Sequence, residues 1–130
     1  MKYEPISAEL EAIGKDIVDA AIKIHRQFGP GLLESVYKVC LAQELSSRGH
    51  AVQLEVPIPV VFEGMKLECG FRMDMLVDSK VVVELKAQDV PAPVWEAQLL
   101  TYLKLSGRRL GYMLNFNVTL MKDGIYRRVV

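Results

Sequence analysis

One short run constrains this chain more than any other stretch: Val81-Val82-Val83-Glu84-Leu85-Lys86. β-Branched and apolar residues in this density read as a strand buried on both faces. Yet the run carries a carboxylate and an ammonium two residues apart. Side chains alternate faces along a strand, so Glu84 and Lys86 point one way while Val83 and Leu85 point the other. Burying such charges is costly unless a metal ion, a partner carboxylate or a phosphate compensates them. The nearest candidate partner is Asp74, on the preceding strand-like stretch.

The flanking pattern supplies the elements around this strand. Residues 7–27 carry apolar side chains at three- and four-residue spacing, with Ser7 as N-cap, and Gly29-Pro30-Gly31 stops that helix. A second helix is expected over 32–47, with Leu33, Val36, Tyr37, Cys40, Leu41 and Leu45 as its apolar stripe. Glu34 lies on or beside the same face. From spacing alone it is first a first-turn acid favoured by the helix dipole. Residues 52–62 alternate over a long run, and Pro57 and Pro59 mark an edge strand or a bulge. Residues 67–77, Cys69 included, alternate again, placing Arg72 and Asp74 opposite Met73 and Met75. Glu63-Gly64 and Asp78-Ser79 are turns, so the three strands form an antiparallel meander. A loop follows over 87–93, then a helix over 94–106 with Trp95, Leu99, Leu103 and Tyr102 inward and Gln98 one turn from Tyr102. Residues 109–115 are strand-like, and 120–130 are read as a final hairpin turning at Lys122-Asp123-Gly124. The expected class is α/β, or α+β mixed: an extra N-terminal helix, then helix, three-strand meander, crossover helix, strand and C-terminal β-hairpin.

Length and composition narrow the function classes. The 130 residues fit a single domain spanning 1–130. Sixteen basic and sixteen acidic residues cancel, which counts against a simple basic DNA-binding module. Cys40 and Cys69 are expected as buried free thiols in a reducing compartment, and the charged N-terminus lacks a signal-peptide core, so the expected location is the cytoplasm. No apolar run approaches the roughly 20 residues of a membrane span, so no membrane partner is expected.

A tight turn at Asp78-Ser79 brings position 74 opposite 83 or 84. Two neighbouring carboxylates repel unless a cation or proton sits between them. Magnesium-type sites use one or two carboxylates, a main-chain carbonyl and waters, and the Leu85 carbonyl is a candidate third donor. Lys86 would then orient or deprotonate an attacking water, or stabilise a phosphate. The competing reading is an ion-pair ladder in which Lys86 bridges Asp74 and Glu84. Spacing alone leaves both open.

The order Glu34, Asp74, Glu84-Leu85-Lys86, Gln98-x-x-x-Tyr102 resembles the PD-(D/E)XK nuclease superfamily, whose core matches residues 32–115. More specifically, Gly31-Leu32-Leu33-Glu34-Ser35-Val36-Tyr37 resembles the signature of the bacterial GxxExxY family, and residues 25–34, 84–86, 98–103 and Asn115-Phe116 are similar to it too. The resemblance implies Asp74 and Glu84 as ligands of Mg²⁺ or Mn²⁺, with Glu34 completing the acidic cluster directly or through a water. It implies Lys86 as the catalytic lysine, Gln98 as a brace and Tyr102 beside the substrate backbone. Met73 stands where the superfamily's name has proline. The expected activity is hydrolysis of phosphodiesters in nucleic acid, DNA ahead of RNA. The alternative is a non-catalytic nucleic-acid- or protein-interaction module on the same fold. A homo-oligomer is the remaining partner expectation, through strand edges at 52–62 and the terminal hairpin.

Weaker signals surround this set. His25 is expected as a hydrogen-bonded structural histidine and His50 as a solvated turn residue. The two lack zinc spacing. Arg108-Arg109 and Arg127-Arg128 are read first as solvated strand ends and second as phosphate contacts.

Overall fold

A computed structural model describes residues 4–68 and 70–130. The strand position expected for Cys69 lies outside them. Helix α1, Ala8–Phe28, begins where the Ser7 hydroxyl accepts the Leu10 N–H at 3.2 Å, and Glu9 and Glu11 occupy its positive end. Ile13, Ile17, Ala20, Ala21 and Ile24 form its buried stripe. Gly14 lies under Tyr112 so closely that a Cβ there would come within 3.0 Å of the ring's Cζ. Helix α2, Glu34–Ser47, buries Tyr37, Leu41 and Leu45 at four-residue spacing. The connection between the helices needs the left-handed backbone of Gly31 at φ +109. It is tied down by Tyr37, whose hydroxyl donates to the Gly29 carbonyl at 2.5 Å and accepts the Leu32 N–H at 3.2 Å.

Five strands make the main sheet: β1 (Val52–Pro57), β4 (Arg72–Val77), β5 (Val81–Lys86), β6 (Leu110–Asn115) and β7 (Ile125–Val129), in the order β1-β4-β5-β6-β7. Strands β1, β4 and β5 are the expected antiparallel meander. Helix α3, Val94–Ser106, carries the chain back over the sheet, and β6 pairs with β5 in parallel. One face of the sheet packs Met75, Val77, Val81, Val83 and Leu85 against α1 and α2. The other packs Leu76, Val82 and Met113 against Trp95, Leu99, Tyr102 and Leu103 of α3. The result is a three-layer sandwich with β5 buried at its centre.

Two long strands in the sequence reading are shorter in the structure. The 52–62 run breaks between Pro57 and Pro59, because neither proline can donate to a ladder. Ile58 between them turns inward and gives its N–H to the Phe71 carbonyl at 2.7 Å. The 67–77 run is also broken: Glu68, Gly70 and Phe71 lie outside any strand. The severed ends, β2 (Val60–Phe62) and β3 (Met65–Leu67), pair as a small separate hairpin. Its turn at Glu63 and Gly64 has two positive φ angles. Likewise 120–130 supplies one strand rather than two arms: Met121–Gly124 is a 3-10 turn, and β7 forms its hairpin with β6. Short range alternation in sequence cannot separate a strand from a single turn of this kind.

Candidate active site

The register of β4 with β5 decides how the acids meet. Pairing runs Val77↔Val81, Leu76↔Val82 and Met75↔Val83 and ends there, just before Asp74 and Glu84. The Asp74 N–H donates to Glu84 Oε1 at 3.2 Å, and Asp74 Oδ2 accepts the Leu85 N–H at 2.9 Å. The N–H and C=O of a strand residue leave on the same side, so the Leu85 carbonyl also faces β4. Glu84 is only 3% exposed. Burial, then the hydrogen bond and negative charge of Asp74, push its carboxyl up to about 10. With no cation present, this favours the protonated form of Glu84 at neutral pH.

Glu84 and Lys86 share the face covered by α3. The Lys86 ammonium stands 5.9 Å from the centroid of the Trp95 ring, within cation–π range. Gln98 Nε2 donates to the Tyr102 hydroxyl at 3.0 Å, linking the two residues one turn apart. Burial, with the nearby charge of Glu84, raises the Tyr102 phenol above its ordinary value. Phe71 packs edge-on to the same ring at 4.9 Å. Tyr102 is thus buried beside the acid pair, and its hydroxyl already has a partner.

Glu34 enters from the first turn of α2. Burial raises its carboxyl above the usual range, and the charge of Asp74 adds to this, while Lys86 and Lys38 oppose it. Glu34 is close enough to sense the pair electrostatically. Among the described residues, however, no group of three His, Cys, Asp or Glu side chains is arranged to hold an ion by itself. A cation on Asp74 and Glu84 would need main-chain carbonyl or water oxygens to fill its shell, which suits a magnesium-type ion rather than zinc.

Two further charged residues belong to this cluster, and the sequence reading missed both. Lys38, one turn after Glu34, forms an ion pair with Glu55 of β1 and lies 4.0 Å from Asp74 Oδ1. The hydrogen bond to Glu55 outweighs burial and raises its ammonium. Glu55 sits across from Asp74 in the register that runs from Val52↔Val77 to Pro57↔Arg72. Its φ is +53, the left-handed region that a glutamate rarely adopts. The i, i+4 spacing of Glu34 and Lys38 was the available signal for Lys38. No signal in the sequence announced the backbone of Glu55.

Asn115 is fully buried at the end of β6, beside Lys86 in the parallel register. Its Nδ2 donates to the Gln88 carbonyl at 2.9 Å, and its Oδ1 accepts the N–H groups of Gln88 and Asn117 at 3.1 and 3.2 Å. It thereby clamps the loop that leaves Lys86. Phe116 stacks on Tyr37 with ring centroids 4.4 Å apart, joining this end of the sheet to α2.

The remaining candidates are occupied in structural roles. His25 is buried and its Nε2 lies 2.7 Å from the Val118 carbonyl. His50 is not the solvated turn residue expected: its ring bridges Asp16 of α1 and Asp78 of the β4–β5 turn at 2.7 and 2.6 Å. Arg108 and Arg109 bond main-chain carbonyls, including those of Ser79 and Val130, while Arg127 and Arg128 pair with Glu11 and Glu96. Cys40 is a half-buried free thiol. No helix among the described residues is long and apolar enough to cross a membrane.

A family model described as the PD-(D/E)XK nuclease superfamily matches residues 11–129. No curated protein and no solved structure matches the chain.

Proposed function

Because the chain belongs to the PD-(D/E)XK nuclease superfamily, we propose that it hydrolyses phosphodiester bonds in nucleic acid, DNA ahead of RNA, with Mg²⁺ or Mn²⁺ bound at Asp74 and Glu84. The observation that carries this is the convergence of the two acids: the buried Glu84 carboxyl, its pKa pushed up to about 10, accepts the Asp74 N–H at 3.2 Å, and the Asp74 carboxylate accepts the Leu85 N–H at 2.9 Å. A buried acid pair of this kind is destabilising unless a cation uses it. Asp74, Glu84 and the Leu85 carbonyl would hold the ion, and Glu34 would act through a water. Bound there, it would supply Lewis-acid polarisation of a phosphoryl oxygen and a more acidic water.

The side chains divide the rest of the work. Lys86, held over Trp95, presents its ammonium to the attacking water or to a non-bridging phosphate oxygen. Gln98 fixes the Tyr102 hydroxyl, and together they close the α3 side of the acid pair. Lys38 neutralises Glu55 and keeps Asp74 from facing a second uncompensated carboxylate. Asn115 holds the backbone just after Lys86, so the lysine emerges in one direction.

Calorimetric titration with Mn²⁺ and a cleavage assay on single- and double-stranded DNA and RNA test this. Wild type should bind the ion and cleave. Glu84→Ala and Lys86→Ala should each lose cleavage while retaining the circular-dichroism spectrum. Wild-type protein that leaves every such substrate intact with Mn²⁺ present would sink the enzymatic reading. The balanced charge of the chain favours a second reading, a non-catalytic interaction module on the same fold. That module would bind no Mn²⁺, and Asp74→Asn would leave its properties unchanged.

A further inference from the structure

Between α3 and strands β6 and β7 the molecule has a cavity of about 280 Å³. It is lined by the aliphatic Leu99 and Met113, the aromatic Trp95 and Tyr126, the loop residues 91–93, and the charged Glu96 and Arg128. Trp95 also lines the cleft that contains Lys86, Phe71 and Gln98. We propose that this cavity receives a single nucleobase of the strand being cleaved, so that the substrate is unpaired at that nucleotide. The inference rests on the nuclease reading above and adds the form of the substrate to it.

Shape and chemistry select the occupant. Sites for drug-sized molecules run upwards from about 300 Å³, so this one suits one planar ring system. Two aromatic side chains with aliphatic ones favour a flat, polarisable ring, and base-on-aromatic stacking is tolerant of sequence. The charged pair then supplies an edge code. Arg128 Nε lies 3.0 Å from Glu96 Oε1, so a carboxylate acceptor sits directly beside guanidinium donors. Adenine, cytosine and guanine present an amine next to a ring nitrogen or carbonyl, the complement of that pair, and carboxylate-to-amine and arginine-to-acceptor contacts are the usual pairings. A base stacked and paired in a duplex cannot enter such a cavity. It must come from a single strand, a frayed end or a flap, or be extruded. Trp95 lines both this cavity and the cleft of Lys86, so a base in the one and a phosphate in the other would belong to the same or adjacent nucleotides.

The experiment uses the chain's one tryptophan. In the metal-free protein, the single indole N–H signal in a nitrogen–proton correlation spectrum reports on Trp95 alone. Adenosine, cytidine, guanosine and uridine are titrated in turn. A fragment of that size in a preformed site binds with a dissociation constant of about 0.1–1 mM. The amine-bearing nucleosides should shift the signal saturably, and uridine less. Tyr126→Ala should weaken binding roughly ten- to a hundredfold, as loss of a stacking partner does. Glu96→Ala changes an exposed helix position and leaves the fold intact. It should narrow the difference between cytidine and uridine. Glu84→Gln should lose cleavage yet keep the shift, so the pocket and the metal chemistry fail independently. The proposal is overturned if no nucleoside moves the indole signal, if Tyr126→Ala binds as wild type does, or if a proline-rich peptide shifts the signal more strongly than any nucleoside.

Discussion

Replacing Glu84 with glutamine should make the metal-free protein more stable at neutral pH while abolishing its proposed activity. In the fold the carboxyl titrates at about 10, against 4.5 for the free side chain. A carboxyl whose folded pKa is raised contributes stability that is fully present below the unfolded value and is lost as pH rises above it. From pH 4.5 to pH 7 the unfolded chain releases this proton and the folded one keeps it. About 2.5 pH units at 1.36 kcal/mol each give a penalty of about 3 kcal/mol. Glutamine removes the penalty, since it cannot ionise. It keeps an oxygen for the Asp74 N–H, now 3.2 Å away, and offers an amide N–H to the Asp74 carboxylate. Urea unfolding in a chelator at pH 5, 6, 7 and 8 measures the difference between variant and wild type, in which titrations remote from the pair cancel. The gap should widen by roughly 1 kcal/mol per pH unit in favour of the glutamine variant. Added Mn²⁺ should reverse the order, because only wild type can offer it two carboxylates; an ion at a hundred times its dissociation constant adds about 2.7 kcal/mol. A pH-independent gap, or a variant less stable than wild type at pH 8, would refute this account of the acid pair.

Three other outcomes follow from contacts elsewhere. For His50, burial alone would lower the imidazolium pKa, but Asp78 and Asp16 outweigh it and raise it. The bridge therefore stabilises fully below about pH 6.5 and fades as pH rises through the raised value. Asp78 is the mirror case: His50 and the Ala51 N–H outweigh burial and lower its pKa, so its share is lost only in acid. His50→Gln should cost about 1.5–3 kcal/mol near pH 5–6 in urea melts, and less above pH 8. Gly14→Ala, which drives a methyl into the Tyr112 ring, should destabilise by about 1–3 kcal/mol despite the gain in helix propensity, and a double-mutant cycle with Tyr112→Phe should show strong coupling. Tyr102→Phe breaks the bond from Gln98 and should cost about 1 kcal/mol of stability, with reduced cleavage at unchanged Mn²⁺ affinity by calorimetry.

The parts of the fold that obey simple periods were readable. The spacing of Ile13, Ile17, Ala20 and Ile24 gave α1, and the valine run with its short turn gave β5 and the proximity of Asp74 and Glu84. The prolines at 57 and 59 were seen as a weakness in a long strand, but a single break with a separate hairpin beyond it is set by tertiary pairing. His50 shows the same limit. A histidine after a glycine reads as exposed, and only the arrival of Asp16 from another helix makes it a bridge. Glu34, Lys86, Gln98 and Tyr102 were singled out together because their order carried a resemblance, to a superfamily whose model matches residues 11–129. Lys38 and Glu55 fall outside that order. Their part in the cluster depends on one backbone angle and on the distance between α2 and β1.

That angle has a second consequence, at the outer border of the sheet. β1 is an edge strand, and a long flat edge is a template on which another chain can add a strand. Here the left-handed residue at 55 bends the backbone away from the pleat, and Pro57 removes a donor two residues later. The break that aims Glu55 at Lys38 therefore also blunts the border. Strand addition by another copy of this chain would have to accommodate both irregularities.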